Sequence, residues 1–176
     1  MLEHIELWQS QVMELKEAFG ESILEVRMPR DFPVDVPVIY LEKKHLLEVL
    51  RFLKERECRY SFLSDITATD EQEEGLPWRF EVVYQLFSQI SKLRIRIKVR
   101  VAEGETVPTS VPLWAGANWA EREVYDMFCI VFEGHPDLRR ILMDQRWVGH
   151  PLRKDYALKG FQIFTDSQSI DPSWLK

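Results

Sequence analysis

Phe80-Glu81-Val82-Val83-Tyr84-Gln85-Leu86-Phe87-Ser88-Gln89-Ile90-Ser91-Lys92-Leu93-Arg94-Ile95-Arg96-Ile97-Lys98-Val99-Arg100-Val101 alternates apolar and polar side chains on both sides of a short break. Successive side chains of a strand point to opposite faces. Phe80, Val82, Tyr84 and Leu86 therefore share one face, and Leu93, Ile95, Ile97, Val99 and Val101 share a face of the next strand. With Ser88 to Ser91 as the hairpin loop, Phe87 faces Lys92, and the buried side sets Val82 against Ile97 and Tyr84 against Ile95. On the other side Glu81 falls opposite Lys98, a favourable cross-strand pair. The outer face of the second strand is wholly basic, with Lys92, Arg94, Arg96, Lys98 and Arg100. Its expected role is a solvated face that blocks edge aggregation, ahead of a surface for an acidic partner.

Upstream, Ile5, Trp8, Val12, Leu15 and Phe19 recur at helical spacing over residues 2–19, and Gly20 follows as a stop. Ile23 to Met28 reads as a short strand. A second, Val36 to Tyr40, is pushed towards a sheet edge by Pro29, Pro33 and Pro37. Leu46, Val49, Leu50 and Leu53 form the inner face of a helix over residues 42–57, whose other face is charged. Tyr60 to Asp70 reads as a third strand, and the acidic stretch Glu71 to Pro77 as a solvated hairpin connection. A lone Asp65 beside Ser64 and Thr67 is a structural or partner-facing residue rather than an acid–base group.

Downstream, a helix follows with Ser110 as N-cap and Pro112 in its first turn. Leu113, Ala117, Ala120, Val124 and Met127 make its core stripe. Glu121, Tyr125 and Phe128 lie along one flank, and Arg122 and Asp126 share another. Periodicity then dissolves, and one phrase occurs twice. Gly134-His135-Pro136 returns as Gly149-His150-Pro151, each followed by adjacent cations, Arg139-Arg140 and Arg153-Lys154. Each phrase joins a free-turning glycine to a histidine held extended by the proline after it. Residues 130–176 are thus an irregular ribbon, yet they keep Leu138, Ile141, Leu142, Trp147, Leu152, Tyr156, Leu158, Phe161, Ile163, Phe164 and Trp174. A disordered tail would not keep so many apolar side chains. The expected organisation is an α+β domain over 1–129, a two-layer sandwich of a mixed β-sheet of about five strands with helices packed on one face. Residues 130–176 follow as an extended, irregular C-terminal tail that docks on a partner.

Glu121-Arg122-Glu123, Tyr125-Asp126-Met127-Phe128 with Ile130, Gly134 to Leu142, and Gly149 to Tyr156 resemble the C-subunit family of bacterial proton-pumping NADH–quinone oxidoreductase, respiratory complex I. The resemblance extends to Phe62 to Ala68 and Phe80 to Tyr84. It departs at Cys129, where the family carries glycine. That argues against a left-handed turn after the helix, because a side chain meets a steric cost there. The resemblance implies the same kind of fold and a cofactor-free subunit of the hydrophilic arm, with FMN and Fe–S clusters held by partner subunits. It implies docking beside the complex's D subunit, which forms the quinone site, on the cytoplasmic side of the cell (inner) membrane. The whole complex would pass electrons from NADH to quinone and translocate protons. Equivalent subunits of membrane-bound hydrogenases and other quinone- or F420-linked complexes are the alternative.

Other chemistries lack their residues. The chain of 176 residues holds 45% hydrophobic and 30% charged residues, enough for a sizeable core. No apolar run reaches the ~20 residues of a bilayer span, and no secretory signal opens the chain. Cys58 and Cys129 form no disulfide framework and no CxxC, which fits a reducing compartment. The net charge of −6 argues against nucleic acid as a partner. His135, Asp137 and His150 lack metal-site spacing, and no Gly-rich phosphate loop or nucleophile motif occurs. His135-Pro136-Asp137 spells the tripeptide of J-domain co-chaperones, but there it joins two long antiparallel helices. A docking surface remains: Glu121, Arg122, Tyr125 and Asp126 from the helix, His135, Pro136, Asp137, Arg139 and Arg140 from the first phrase, and His150, Pro151, Arg153, Lys154, Asp155 and Tyr156 from the second. Paired arginines facing partner carboxylates would supply its strong contacts.

Overall fold

A computed structural model describes residues 2–56, 59–73 and 75–158, so Cys58 and the apolar residues from Phe161 to Trp174 lie outside it. Helix α1, Leu2–Phe19, buries Trp8, Val12 and Leu15 of the expected stripe. Strand β1, Ile23–Arg27, and β2, Val38–Leu41, lead into a 3-10 turn and helix α2, Leu46–Glu55. Leu46, Val49, Leu50 and Leu53 of α2 are all buried. Strands β3, Phe62–Asp70, β4, Phe80–Phe87, and β5, Arg94–Val101, complete a five-stranded sheet in the order β1-β2-β5-β4-β3. Within it β2 and β5 run parallel and the other neighbours antiparallel, so the sheet is mixed as expected.

Two sequence expectations about the sheet are corrected. Strand β2 is internal, and β1 and β3 are the edges. The prolines are compatible with this because Pro37 precedes the first residue of β2, and its carbonyl accepts the Arg96 N–H at 2.9 Å. A missing N–H removes no ladder bond at that position. The hairpin register is displaced by two residues. Phe87 pairs with Arg94, Leu86 with Ile95, Tyr84 with Ile97, Val82 with Val99 and Glu81 with Arg100. Lys92 takes a left-handed φ of 58° and cannot extend the strand, while the Ser88 N–H closes the loop on the Leu93 carbonyl at 2.9 Å. A slip of two leaves every side chain on its own face. Lys98 still reaches Glu81 diagonally, with its Nζ 2.7 Å from Oε2.

The helices lie on the face of Phe80, Val82, Tyr84, Leu86, Ile95, Ile97 and Val99, all in one core with Leu15, Leu50 and Val124. On the opposite face the cations cover the sheet themselves. The Arg27 and Arg100 guanidinium carbons lie 4.9 and 4.6 Å from the Tyr40 ring centre, and Tyr40 is buried beneath them. Such stacking lets long cationic stems act as hydrophobic cover.

Beyond the sheet, β6, Thr106–Pro108, pairs in parallel with β7, Val131–Glu133, a pairing that three-residue strands do not announce by alternation. Between them lies helix α3, Ala117–Phe128. It begins later than expected. The Leu113 and Trp114 N–H groups close a turn on the Ser110 carbonyl at 2.9 and 3.0 Å, and Gly116 occupies the N-cap position with no side-chain cap. Ala117, Val124 and Met127 are buried as the stripe requires, and Glu121 and Asp126 are buried with them. The helix ends at Cys129, which is left-handed at φ 66° and ψ 23°, its N–H donating to the Tyr125 carbonyl at 2.9 Å. The turn that glycine would favour is therefore kept with cysteine in place.

Candidate docking site

The two repeated phrases bracket α3. Gly134 and Gly149 take φ values of 79° and 89°, the left-handed conformations that glycine alone adopts freely. At Gly149 there is no room for a side chain either, because an added Cβ would sit 2.7 Å from the Tyr156 ring. After the first phrase His135 lies at the start of the helix. Its Nδ1 accepts the Asp137 N–H at 3.0 Å, which leaves Nε2–H to donate to the Asn118 carbonyl at 3.1 Å. After the second phrase His150 lies at the helix end, donating from Nδ1 to the Asp126 carbonyl at 2.9 Å with its ring edge-on to Tyr125.

Between these points the ribbon runs alongside α3, stitched to it by side chains of both. Arg122 donates to the carbonyls of Arg139 and Arg140 at 3.1 and 3.4 Å. Asp126, with no exposed surface, accepts the N–H groups of Ile141, Leu142 and Met143 on one oxygen at 3.1, 2.8 and 2.9 Å. Its other oxygen accepts Arg140 Nη1 at 2.7 Å, and Arg140 Nη2 continues to the Gly149 carbonyl at 2.8 Å. Leu152 N–H and Arg153 then bond to the carbonyls of Met127 and Phe128 at 3.1 and 3.4 Å.

A second clamp closes the far end. Asp70, last residue of β3, accepts the Lys154 N–H at 2.8 Å and a fork from Arg79 at 3.0 and 2.8 Å. Arg79 also meets Glu103 and Asp155, and Arg153 meets the same two acids. Burial pushes the Asp70 and Asp126 carboxyls up, but their donors win. Arg79 and the Lys154 N–H hold Asp70 below the usual range, and the Met143, Leu142 and Ile141 N–H groups with Arg140 do so for Asp126.

Several expected partner contacts are thus made within the chain. Glu121 is fully buried and accepts the Thr109 and Ser110 hydroxyls at 2.5 and 2.7 Å and the Ser110 N–H at 2.7 Å. Arg140 faces Asp126, Arg153 faces Glu103 and Asp155, and Lys154 is held by its backbone. Over residues 130–158 the inner side of the tail meets the chain's own domain. His135-Pro136-Asp137 follows β7 and lies against α3, not between two antiparallel helices, so the J-domain alternative falls. Arg139 remains open, its side chain 62% exposed, and it pairs with the adjacent Asp137 at 2.9 Å. Pro136 and Asp137 are exposed, and Pro151 and Tyr156 are half-buried.

Sequence reading missed Asp70, Arg79 and, of the outward apolar set, Trp119 and Val148. Trp119 is 65% exposed, Val148 76%, and Leu142 and Leu152 are exposed as well. A signal for Asp70 existed: strand parity places it on the core face with Ile66 and Ala68, where a carboxylate needs a cation. Among the described residues no cluster of His, Cys, Asp or Glu has the geometry of a metal site, and no helix is long and apolar enough to cross a membrane.

Fold and site together define an α+β domain that clamps its own C-terminal ribbon and turns apolar side chains outward, the build of a component in a larger assembly. The chain belongs to the family described as respiratory-chain NADH dehydrogenase, 30 Kd subunit, whose model matches residues 39–162. It is similar to the C subunit of the NADH-quinone oxidoreductase of Geotalea uraniireducens, at 50% identity over 85% of this chain and 87% of that one. The corresponding C subunit of Geobacter sulfurreducens is 47% identical over 85% of this chain and 89% of its own. Among solved structures, a trypsin-resistant fragment of Nqo5 matches with TM-score 0.62 and 34% identity, covering 74% of this chain and 99% of the fragment. A chain of an archaeal membrane-bound sulfane sulfur reductase shares the fold, with TM-score 0.65 at 22% identity, over 91% of this chain and 98% of that one.

Proposed function

We propose that this chain is a cofactor-free structural subunit of the hydrophilic arm of a proton-translocating NADH–quinone oxidoreductase, docked beside the quinone-site subunit on the cytoplasmic side of the membrane. It contributes architecture, while FMN and Fe–S clusters in other subunits carry electrons from NADH to quinone. One observation carries this reading beyond the family. Arg122 and Asp126 of α3 find their partners in the ribbon, whereas Trp119, Leu142, Val148 and Leu152 face solvent. Exposed aromatic and aliphatic anchors beside satisfied polar groups are what a protein partner's surface requires. Arg139 and Asp137 form the polar rim.

Deletion of the chain tests this. Membranes lacking it should lose NADH-dependent quinone reduction and regain it when the full chain is supplied. The purified chain should show no flavin or Fe–S absorbance and no NADH oxidation. A stoichiometric chromophore in the chain, or undiminished activity without it, would overturn the proposal. Restoration of hydrogen- rather than NADH-dependent reduction would move the chain to a hydrogenase-type complex.

A further inference from the structure

The N–H groups of Ile141, Leu142 and Met143 converge on one point, the Oδ2 of Asp126, at 3.1, 2.8 and 2.9 Å. Successive backbone N–H groups aimed at one point make a nest, a concavity for an anion. Here the anion comes from the chain itself. The same carboxylate neutralises Arg140, largely buried, at 2.7 Å, and the Asp126 carbonyl accepts His150 at 2.9 Å. One residue therefore ties both repeated phrases to the end of α3, and the exposed Leu142 stands directly on the nest.

We propose that Asp126 is the positioning residue of the docking face: by filling the nest it fixes the outward apolar side chains of the ribbon at set distances from Trp119 before a partner arrives. The inference rests on the proposed docking role of that face. Without the carboxylate, three converging N–H groups lose their acceptor and Arg140 loses its counter-ion, so the ribbon leaves the helix. Ordering it again would then oppose each docking event. Glutamate is one methylene too long for a filled nest, and asparagine brings an N–H2 and no charge to the guanidinium.

Chemical rescue with a free carboxylate tests the proposal on the full chain. Asp126→Ala leaves an empty nest beside Arg140. Amide exchange at 141–143 should then accelerate by about a hundredfold while β4 and β5 stay protected. Formate at high concentration should restore protection in Asp126→Ala and leave wild type unchanged. Reconstitution into membranes lacking the chain should need roughly tenfold more Asp126→Ala protein, and formate should recover much of that loss. Should Asp126→Ala fail to fold, Asp126→Asn, which keeps shape and one oxygen, carries the exchange and reconstitution comparisons. Unchanged exchange at 141–143 would overturn the role of the nest while leaving the docking role intact. Accelerated exchange with undiminished reconstitution would overturn the link to docking, and would do so while the nest itself stands.

Discussion

Asp70 and Asp126 are buried aspartates kept ionised by donors that burial makes stronger, and this sets how the ribbon responds to acid. A carboxyl whose folded pKa lies below its unfolded value, about 4, contributes stability above that value. The contribution is lost as pH falls through the depressed folded pKa. The ribbon should therefore stay latched at neutral pH and release only below about pH 4, before the apolar core opens. Amide exchange followed down the pH scale checks this, and release of residues 141–143 and 154 near neutral pH would contradict it. Asp155, held at about 2 by Arg153 and Arg79, should lose its own charge only as pH falls through that value. Backbone demands were legible at this scale, since the glycines of the repeated phrases turn where free turning was expected. Gly149→Ala should cost more than the ~1–2 kcal/mol of a left-handed side chain, because its Cβ would also strike Tyr156. Gly134→Ala, with Thr109 Cγ2 at 3.4 Å, should cost no more than that range, and comparing the two melting shifts separates strain from clash.

At the scale of elements, alternation specified which face of β4 and β5 is buried and left their register open. Parity survives a slip of two, and only loop conformation, here the left-handed Lys92, decides between registers. The short β6 and β7 were illegible because three residues carry too little alternation, and their pairing depends on where α3 ends. The start of α3 was misplaced because Ser110 has the chemistry of a cap but serves Glu121. Glu81 lies between two cations, directly across from Arg100 and 2.7 Å from Lys98 on the diagonal. Double-mutant cycles of Glu81→Gln with Lys98→Met and with Arg100→Met should each show coupling, of roughly 0.5–1 kcal/mol. Coupling to Lys98 alone would mean that Arg100 serves Tyr40 and Glu25 rather than its cross-strand neighbour.

For the whole molecule, the tail looked like a segment waiting for a partner because its apolar content exceeds its periodicity. Over residues 130–158 the structure resolves that mismatch by giving the ribbon two sides. The inner side is written in backbone groups, arginines and histidines that match α3 turn by turn, a pattern invisible to hydrophobic periodicity. The outer side keeps the apolar surplus, and it is this side that a partner would cover. Neighbouring arginines should accordingly behave oppositely. Arg140→Ala strips the counter-ion from a buried carboxylate and should destabilise the free chain by about 3–5 kcal/mol. Arg139→Ala touches an exposed pair and should change the free chain by no more than about 0.5 kcal/mol. Trp119→Ala should likewise spare the melting temperature, yet weaken binding to the partner by about 2 kcal/mol or more, the usual threshold for a buried aromatic anchor. Denaturation of the free chain and titration against the proposed partner, the quinone-site subunit, measure the two effects separately. A Trp119→Ala variant that melts early and binds normally would place the indole in the fold's own support and move the docking surface elsewhere.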